Sequence, residues 1–168
     1  AKLAGGITSW LGKNGEIKDC TVAIDINDDT KKKLLKFSNG DYVGGITGQN
    51  RGKIYTYNSN IEHTVLVAGD DYVGGLVGIN EGASPDNADY NDNRPCEIKN
   101  QFITSGIVNG DNYVGGMIGV NQKDINIANS EIDGVVVVGN NYVGGLIGWN
   151  RRNLQSDNSP VHDIISVT

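Results

Sequence analysis

The stretch YVGGLVGIN at Tyr72–Asn80 decides the fold, because the chain contains it four times in closely related form. Tyr-Val-Gly-Gly begins at Tyr42, Tyr72, Tyr113 and Tyr142. Each copy continues with a large apolar residue, a third glycine and, two residues after that glycine, an asparagine. The tyrosines are 30, 41 and 29 residues apart. Repetition at this period predicts one domain assembled from stacked copies of a single unit.

The repeat divides the chain into five units, at 1–38, 39–68, 69–109, 110–138 and 139–168. The first unit is degenerate: its Gly5-Gly6 pair leads to Asn14 in place of the motif asparagine. Units one and three are longer than 30 residues, and we place insertions at Asp28–Leu35 and Ala83–Pro95. The second stretch is polar and contains two of the three prolines, as a loop does.

Short runs rich in β-branched residues, separated by Gly, Asn and Asp, predict three strands in each unit. In unit two these are Tyr42–Thr47, Lys53–Tyr57 and Ile61–Val67; in unit four they are Tyr113–Ile118, Ile125–Ala128 and Ile132–Val138. Three strands in about 30 residues form one coil of a right-handed parallel β-helix. Five coils spaced about 4.8 Å apart give a solenoid roughly 24 Å long.

A repeated-hairpin fold, either a prism or a sandwich, is the alternative. The Asn39-Gly40 and Asn109-Gly110 pairs and the segment Val138–Tyr142 resemble hairpin turns. Such turns would pair the last strand of one unit antiparallel with the first strand of the next.

Glycine and asparagine at fixed positions of every unit indicate structural roles. A repeated glycine meets a backbone demand, either a positive φ or an approach closer than a Cβ allows. Stacked asparagines form side-chain ladders that also satisfy turn backbone groups. The predicted structural residues are Gly44, Gly45, Gly74, Gly75, Gly115, Gly116, Gly144, Gly145, Asn50, Asn80, Asn121 and Asn150, with Asn14 in the asparagine column of unit one.

The tyrosine column, Tyr42, Tyr72, Tyr113 and Tyr142, has two interpretations. We expect a half-buried aromatic ladder, because stacked rings close the edge of a core. The same four rings are the candidate ligand-binding residues, since an exposed aromatic column suits sugar rings.

A polar column precedes the tyrosines and suggests a calcium site. Its carboxylates, Asp41, Asp70, Asp71 and Asp111, offer the oxygen ligands that Ca²⁺ prefers. The glycine-rich calcium nonapeptide is absent, however, and Asx residues are what turns ordinarily use. We therefore expect no cofactor, with calcium as the one exception to test.

Composition excludes several partners. Twenty-four of 168 residues are glycine, about twice the average usage, and the formal net charge is −6. Scattered basic residues in an acidic chain argue against nucleic acid, which needs a positive stripe. No apolar run reaches 18 residues, so we expect no membrane insertion.

Catalytic patterns are missing as well, so we predict no enzyme. His63 and His162 fall in different units, about 14 Å apart on the predicted coil spacing, too far to share a metal. Glu62 and Asp133 occupy matching positions and could form a carboxylate face, although a solvated column explains them equally well. Cys20 and Cys96 are two units apart, roughly 9 to 10 Å, which predicts free, buried thiols rather than a disulfide.

The motif Tyr-Val-Gly-Gly-Leu-x-Gly-x-Asn resembles the GLUG repeat, which is named for its Gly-Leu-any-Gly core. Gly75–Gly78 and Gly145–Gly148 match that core, whereas Gly45–Gly48 and Gly116–Gly119 differ by Ile or Met in place of Leu. The resemblance covers units two to five. It implies a segment of a large bacterial surface or secreted protein, as in adhesin-like proteins and immunoglobulin A peptidases. It implies no activity, because the peptidases' zinc motif is absent.

These observations predict a non-catalytic structural or adhesive module of an extracellular bacterial protein. We expect the insertions to project from one edge and contact a protein or glycan partner. The first alternative is a carbohydrate-binding or carbohydrate-active β-helix. The second is an accessory domain of a secreted peptidase. A start without Met suggests a fragment of a larger chain.

Overall fold

The computed structural model describes residues 2–12, 14–22, 35–36, 40–55, 61–81, 96–151, 154–157 and 165–167. These residues form 21 β-strands and no helix, so the chain is all-β as predicted. The described part of the chain accordingly contains no helix with the length and hydropathy of a membrane span.

The strands are arranged in four parallel sheets, and each sheet takes one strand from each of the five units. Sheet I contains Leu3–Gly5 (β1), Tyr42–Gly44 (β5), Asp71–Gly74 (β9), Asn112–Gly115 (β13) and Asn141–Gly144 (β18). Sheet II contains Thr8–Leu11 (β2), Thr47–Asn50 (β6), Val77–Asn80 (β10), Ile118–Asn121 (β14) and Ile147–Asn150 (β19).

The other two sheets complete each unit. Sheet III contains Glu16–Lys18 (β3), Lys53–Tyr55 (β7), Cys96–Lys99 (β11), Ile125–Ala128 (β15) and Leu154–Asp157 (β20). Sheet IV contains Leu35–Lys36 (β4), Ile61–Ala68 (β8), Gln101–Asn109 (β12), Val135–Val138 (β17) and Ile165–Val167 (β21), with Glu131–Ile132 (β16) also paired to β12.

Neighbouring strands come from consecutive units and keep equivalent residues in register. In sheet I, Val43 pairs with Val73, Val73 with Val114, and Val114 with Val143. Every pairing among the described strands is parallel. The hairpin alternative required antiparallel pairs, and the described strands contain none. The Asn109-Gly110 pair therefore makes a corner between sheets rather than a hairpin turn, while Asn39 lies outside the described residues.

The prediction of three strands per unit was wrong in one respect. The motif stretch, predicted as a single strand at Tyr42–Thr47 and Tyr113–Ile118, forms two strands separated by a two-residue bend. Each complete unit therefore has four sides. The strand Ile125–Ala128 was predicted correctly, and the third strand of unit four is divided at Asp133-Gly134.

The predicted insertions fall almost wholly outside the described residues. Ala83–Pro95 lies entirely outside them, and so does Asp28–Leu35 except for its last residue. Leu35 belongs to strand β4, where it pairs with Val67, so the insertion in unit one ends before it.

The core is enclosed by the four sheets and consists of aliphatic residues from equivalent positions of successive units. The fully buried members include Val73, Leu76, Ile98 and Ile103 in unit three and their counterparts Val114, Met117, Ile127 and Ile132 in unit four. Burying each such side chain contributes about 1.5–3 kcal/mol. Repetition of one apolar pattern thus builds one continuous core.

Candidate functional site

The glycines of the motif bring the backbones of sheets I and II into direct contact. A Cβ on Gly74 would lie 2.0 Å from the Val77 carbonyl oxygen and 2.7 Å from the Gly119 amide nitrogen. A Cβ on Gly115 would lie 1.9 Å from the Ile118 carbonyl oxygen. No side chain fits there. Of the two demands considered from the sequence, close approach is therefore the one these glycines meet.

The positive φ falls instead on the tyrosines. Tyr72, Tyr113 and Tyr142 have φ of 52°, 56° and 54°, a left-handed conformation that costs a residue with a Cβ roughly 1–2 kcal/mol. Nothing in the tyrosine side chain favours this conformation, so contacts elsewhere in the fold offset the cost. No sequence pattern indicated this conformation, since tyrosine is not a turn residue.

The four tyrosine rings form one continuous stack, which we call the tyrosine ladder. Successive centroids are 4.7, 4.9 and 4.8 Å apart, with interplanar angles of 10° or less. Tyr42, Tyr72 and Tyr113 are partly exposed, whereas Tyr142 at the end of the stack is 58% exposed. The prediction of a half-buried ladder is confirmed for the first three rings.

Trp149 extends the aromatic surface at the same end. Its ring lies 5.2 Å from the Tyr113 ring and 6.0 Å from the Tyr142 ring, and the Arg151 guanidinium lies 4.9 Å from the indole centroid. Trp149 pairs with Val120, which pairs with Ile79, and both of these are buried. Trp149 thus occupies the end of a column whose members in units three and four, Ile79 and Val120, are buried.

The ladder also perturbs the ionisation of its own phenols. Burial, followed by the neighbouring Tyr72, raises the pKa of Tyr42 above its ordinary value. Burial, followed by Tyr113, raises the pKa of Tyr72. Both rings therefore stay neutral throughout the physiological range, and no phenolate is available as a base or a ligand.

The asparagines of the motif form a ladder of side-chain hydrogen bonds inside the protein. Asn50 donates to Asn80 over 3.0 Å, Asn80 to Asn121 over 2.7 Å, and Asn121 to Asn150 over 2.7 Å. The Asn50 side-chain oxygen accepts from the Gly52 amide. The predicted structural ladder is present, but Asn14 is not part of it. Leu11 pairs with Asn50 instead, so the ladder begins in unit two.

The polar column before the tyrosines is a second ladder. Asn112 donates to Asp71 over 2.7 Å, and Asn141 donates to Asn112 over 2.8 Å. Asn140 donates to Asp111 over 3.4 Å, while the Asp111 amide donates to the Asp70 carbonyl. The carboxylates of Asp71 and Asp111 thus already accept from asparagine amides.

Calcium binding at this column stays a prediction. Among the described residues no three carboxylate, histidine or cysteine side chains are grouped as a metal site would require. Asp41 and Asp70, the other two candidate ligands, lie partly exposed along the same column.

Sequence reasoning missed a buried polar network around His63. The imidazole is fully buried; its Nδ1 accepts from the Val22 amide over 3.0 Å, and its Nε2 lies 2.8 Å from the Gln101 side-chain oxygen. Gln101 in turn donates to the Lys99 carbonyl. Burial lowers the pKa of His63 below its ordinary value, so the ring is neutral at physiological pH. His162, the other histidine, lies outside the described residues.

The proposed carboxylate face is not formed. Glu62 pairs with Phe102, which pairs with Glu131, so Glu62 and Asp133 do not occupy matching positions. Asp133 lies at the bend between β16 and β17, where its amide donates to the Ile103 carbonyl. Counting residues along the predicted third strand matched the wrong pair, because that strand is divided in unit four and continuous in unit two.

Cys20 and Cys96 are not joined by a disulfide, as predicted. Cys96 is buried, whereas Cys20 is only partly buried and its thiol donates to the Lys18 carbonyl. The expectation that both thiols are buried is therefore correct for Cys96 alone.

The geometry defines a stacked, all-β scaffold whose repeated residues are occupied in contacts between units. No protein-family model, curated protein or solved structure was found to match the chain.

Proposed function

We propose that the chain is a right-handed parallel β-helix of about five coils that serves as a non-catalytic spacer or adhesive module of an extracellular bacterial protein. One observation supports this most directly: each of the four sheets takes one strand from every unit, in chain order from unit one through unit five. Parallel strands joined by right-handed connections are the normal outcome for such an order. A stack of this kind resists bending and can hold a binding segment away from a surface.

A non-catalytic role follows from how the repeated residues are used. Glycines of the motif seal the backbone contact between sheets I and II, and the asparagines bond to each other inside the protein. The repeated positions thus maintain the stack, leaving recognition to residues that differ between units. Insertions are the usual site of such differences in solenoids.

The extracellular bacterial setting is inferred from the resemblance of units two to five to GLUG repeats. Stability from stacking also removes the need for disulfides, which suits a secreted module whose two cysteines are not cross-linked. The same resemblance is compatible with an accessory position beside a secreted peptidase.

Binding of the purified chain to cultured epithelial monolayers, with and without residues 83–95, tests the proposal. We expect the chain to bind, and the shortened variant, with a Gly-Asn-Gly link in place of the segment, to lose binding while its thermal unfolding midpoint is retained. Tyr142→Ala is the matched control and should bind like the parent chain. Absence of binding to any cell surface would contradict the adhesive role.

A carbohydrate-binding role is the second candidate, and one observation favours it. Tyr142 is 58% exposed next to Trp149, so two aromatic rings are available to a sugar face at one end of the ladder. On a glycan array this role predicts binding that Tyr142→Ala abolishes without unfolding. In the first role Tyr142→Ala leaves the result on the array unchanged from that of the parent chain.

A further inference from the structure

Apolar residues that are fully buried in the inner units are partly exposed in unit five. Val114, Met117 and Ile118 are fully buried, because unit five covers them. Their counterparts Val143, Leu146 and Ile147 are only partly buried. We call the surface formed by Asn141–Asn150 the C-terminal face.

The C-terminal face also presents a row of backbone donors. In unit four the amides of Gly116, Met117 and Ile118 donate to carbonyls of unit five at 3.0–3.2 Å. The corresponding amides of units one, two and three donate to the next unit in the same way. By that register the amides of Gly145, Leu146 and Ile147 point away from unit four, and the described residues offer them no acceptor. Three adjacent donors of this kind are a template for one more parallel strand.

The side-chain ladders end on the same face with defined polarity. Each inner asparagine of the motif donates its amide to the next unit, so the Nδ2 of Asn150 points toward the position of a following asparagine oxygen. The second ladder donates in the opposite direction, from Asn141 to Asn112, which leaves the Asn141 oxygen to accept from a following unit. A partner on this face therefore needs a side-chain amide oxygen opposite Asn150 and a side-chain hydrogen-bond donor opposite Asn141.

The N-terminal unit of a second copy does not supply this pattern. Leu11 occupies the register of the motif asparagine, and Leu3 occupies that of the tyrosine. A second copy stacked head to tail would bury the Asn150 amide against Leu11 without an acceptor, an arrangement that buried polar groups avoid. Unit one thus terminates the ladders, while unit five leaves them open.

We propose that the C-terminal face is a docking surface for one further repeat unit of the Asn-Tyr-Val-Gly-Gly pattern, with a second asparagine eight residues after its tyrosine. The inference rests on the stacking in the proposed function and continues the four interfaces already present between units. The incoming unit would accept from Gly145, Leu146 and Ile147, stack its tyrosine on Tyr142 and extend both amide ladders.

Amide hydrogen exchange followed by NMR tests this on the full chain. The probe is a copy of residues 111–138 placed directly after Thr168, which keeps the spacing that separates Val138 from Asn141. We expect the amides of Gly145, Leu146 and Ile147 to exchange at least about tenfold more slowly in the extended chain, because exchange then requires the added unit to open.

Two matched controls use the same extension. With Gly115→Val and Gly119→Val in the added copy, sheets I and II of that copy cannot approach, and the slowing should vanish. With Asn121→Leu in the added copy, the ladder ends as it does at Leu11, and the protection should be about tenfold weaker.

Three results would contradict the proposal, and the third would also contradict the stacking on which the proposed function rests. Unchanged exchange in the extended chain would overturn docking. Slow, concentration-dependent exchange in the parent chain, with dimers in the ultracentrifuge, would show that a second copy covers the face. If the amides of Gly116, Met117 and Ile118 also exchanged freely, the stacking of units four and five would be wrong, and the proposed architecture would fail with it.

Discussion

The side-chain amide of Asn80 donates to the side-chain oxygen of Asn121 over 2.7 Å, although the two residues are 41 positions apart in the chain. Both are fully buried, and Asn80 also accepts from Asn50. A buried amide that bonds to the same residue of the next unit fixes the register between units, because a slip along the strand would leave several groups unsatisfied.

Replacing Asn80 with alanine tests how much this ladder stabilises the fold. Asn80→Ala removes the acceptor of Asn50 and the donor to Asn121, and each buried group left unpaired costs about 1–3 kcal/mol. We expect a loss of about 2–4 kcal/mol in the free energy of unfolding, measured by urea denaturation. Asn150→Ala also removes the acceptor of Asn121, but Asn150 is exposed and water can replace its oxygen, so this variant should lose only about 1 kcal/mol. Equal losses for the two variants would mean that the ladder does not set stability.

The contact between sheets I and II predicts extreme sensitivity at Gly74. The Cβ of Gly74→Ala would meet the Val77 carbonyl oxygen at 2.0 Å, and backbone cannot move aside cheaply. We expect a loss of more than about 3 kcal/mol, or no folded protein, by circular dichroism and thermal unfolding. Gly12→Ala is the matched control, because its Cβ would meet nothing within 4 Å. That variant should unfold within about 1 kcal/mol of the parent.

Tyr113 combines ring stacking with backbone strain, and substitutions separate the two. Tyr113→Phe keeps the stack and should be nearly neutral, whereas Tyr113→Ala should cost about 2–3 kcal/mol through lost contact with Tyr72, Tyr142 and Trp149. Tyr113→Gly loses the same contacts but tolerates φ of 56°, so it should be about 1 kcal/mol more stable than the alanine variant. A lower urea midpoint for Tyr113→Gly than for Tyr113→Ala would contradict backbone strain at Tyr113.

The buried His63 predicts a loss of stability in acid. Its pKa is lowered in the folded protein by burial. Below about pH 6.5 the unfolded chain therefore binds a proton at His63 that the folded chain does not bind. Stability should therefore fall as the pH drops from 6.5 toward the folded pKa, by up to about 1.4 kcal/mol per pH unit. The comparison is between the parent and His63→Gln, by urea unfolding at pH 7.5 and 5.0. A parent no more acid-sensitive than the variant would show that protonation of His63 is not coupled to unfolding.

The repeat itself made much of this fold predictable. Four copies of one motif indicated stacked units, and equivalent residues do pair along the sheets. The asparagine ladder and the half-buried tyrosines followed from the same spacing, because any residue repeated in each unit must meet its own copy. The strand Ile125–Ala128 was readable from its alternating apolar residues.

What sequence could not supply depends on contacts between distant segments. The repeated glycines were compatible with a close backbone approach, but nothing in the sequence indicated that this approach joins two sheets and divides the motif into two strands. The left-handed tyrosines belong to a stack built from four units, and His63 is neutral because it is buried among segments distant in the chain, including Gln101, 38 residues away. Asn14 was misplaced because unit one reaches the ladder register three residues earlier, at Leu11.

Contacts between the methyl groups of equivalent valines test the central claim, the stacking of units in chain order, most directly. In a sample with labelled valine methyls, nuclear Overhauser effects should connect Val43 with Val73, Val73 with Val114, and Val114 with Val143, because paired strands lie about 4.8 Å apart. No cross-peak should join Val43 with Val114 or Val143. Cross-peaks that skip a unit, or that link these valines antiparallel to the preceding strand of sheet IV, would contradict the stacked arrangement.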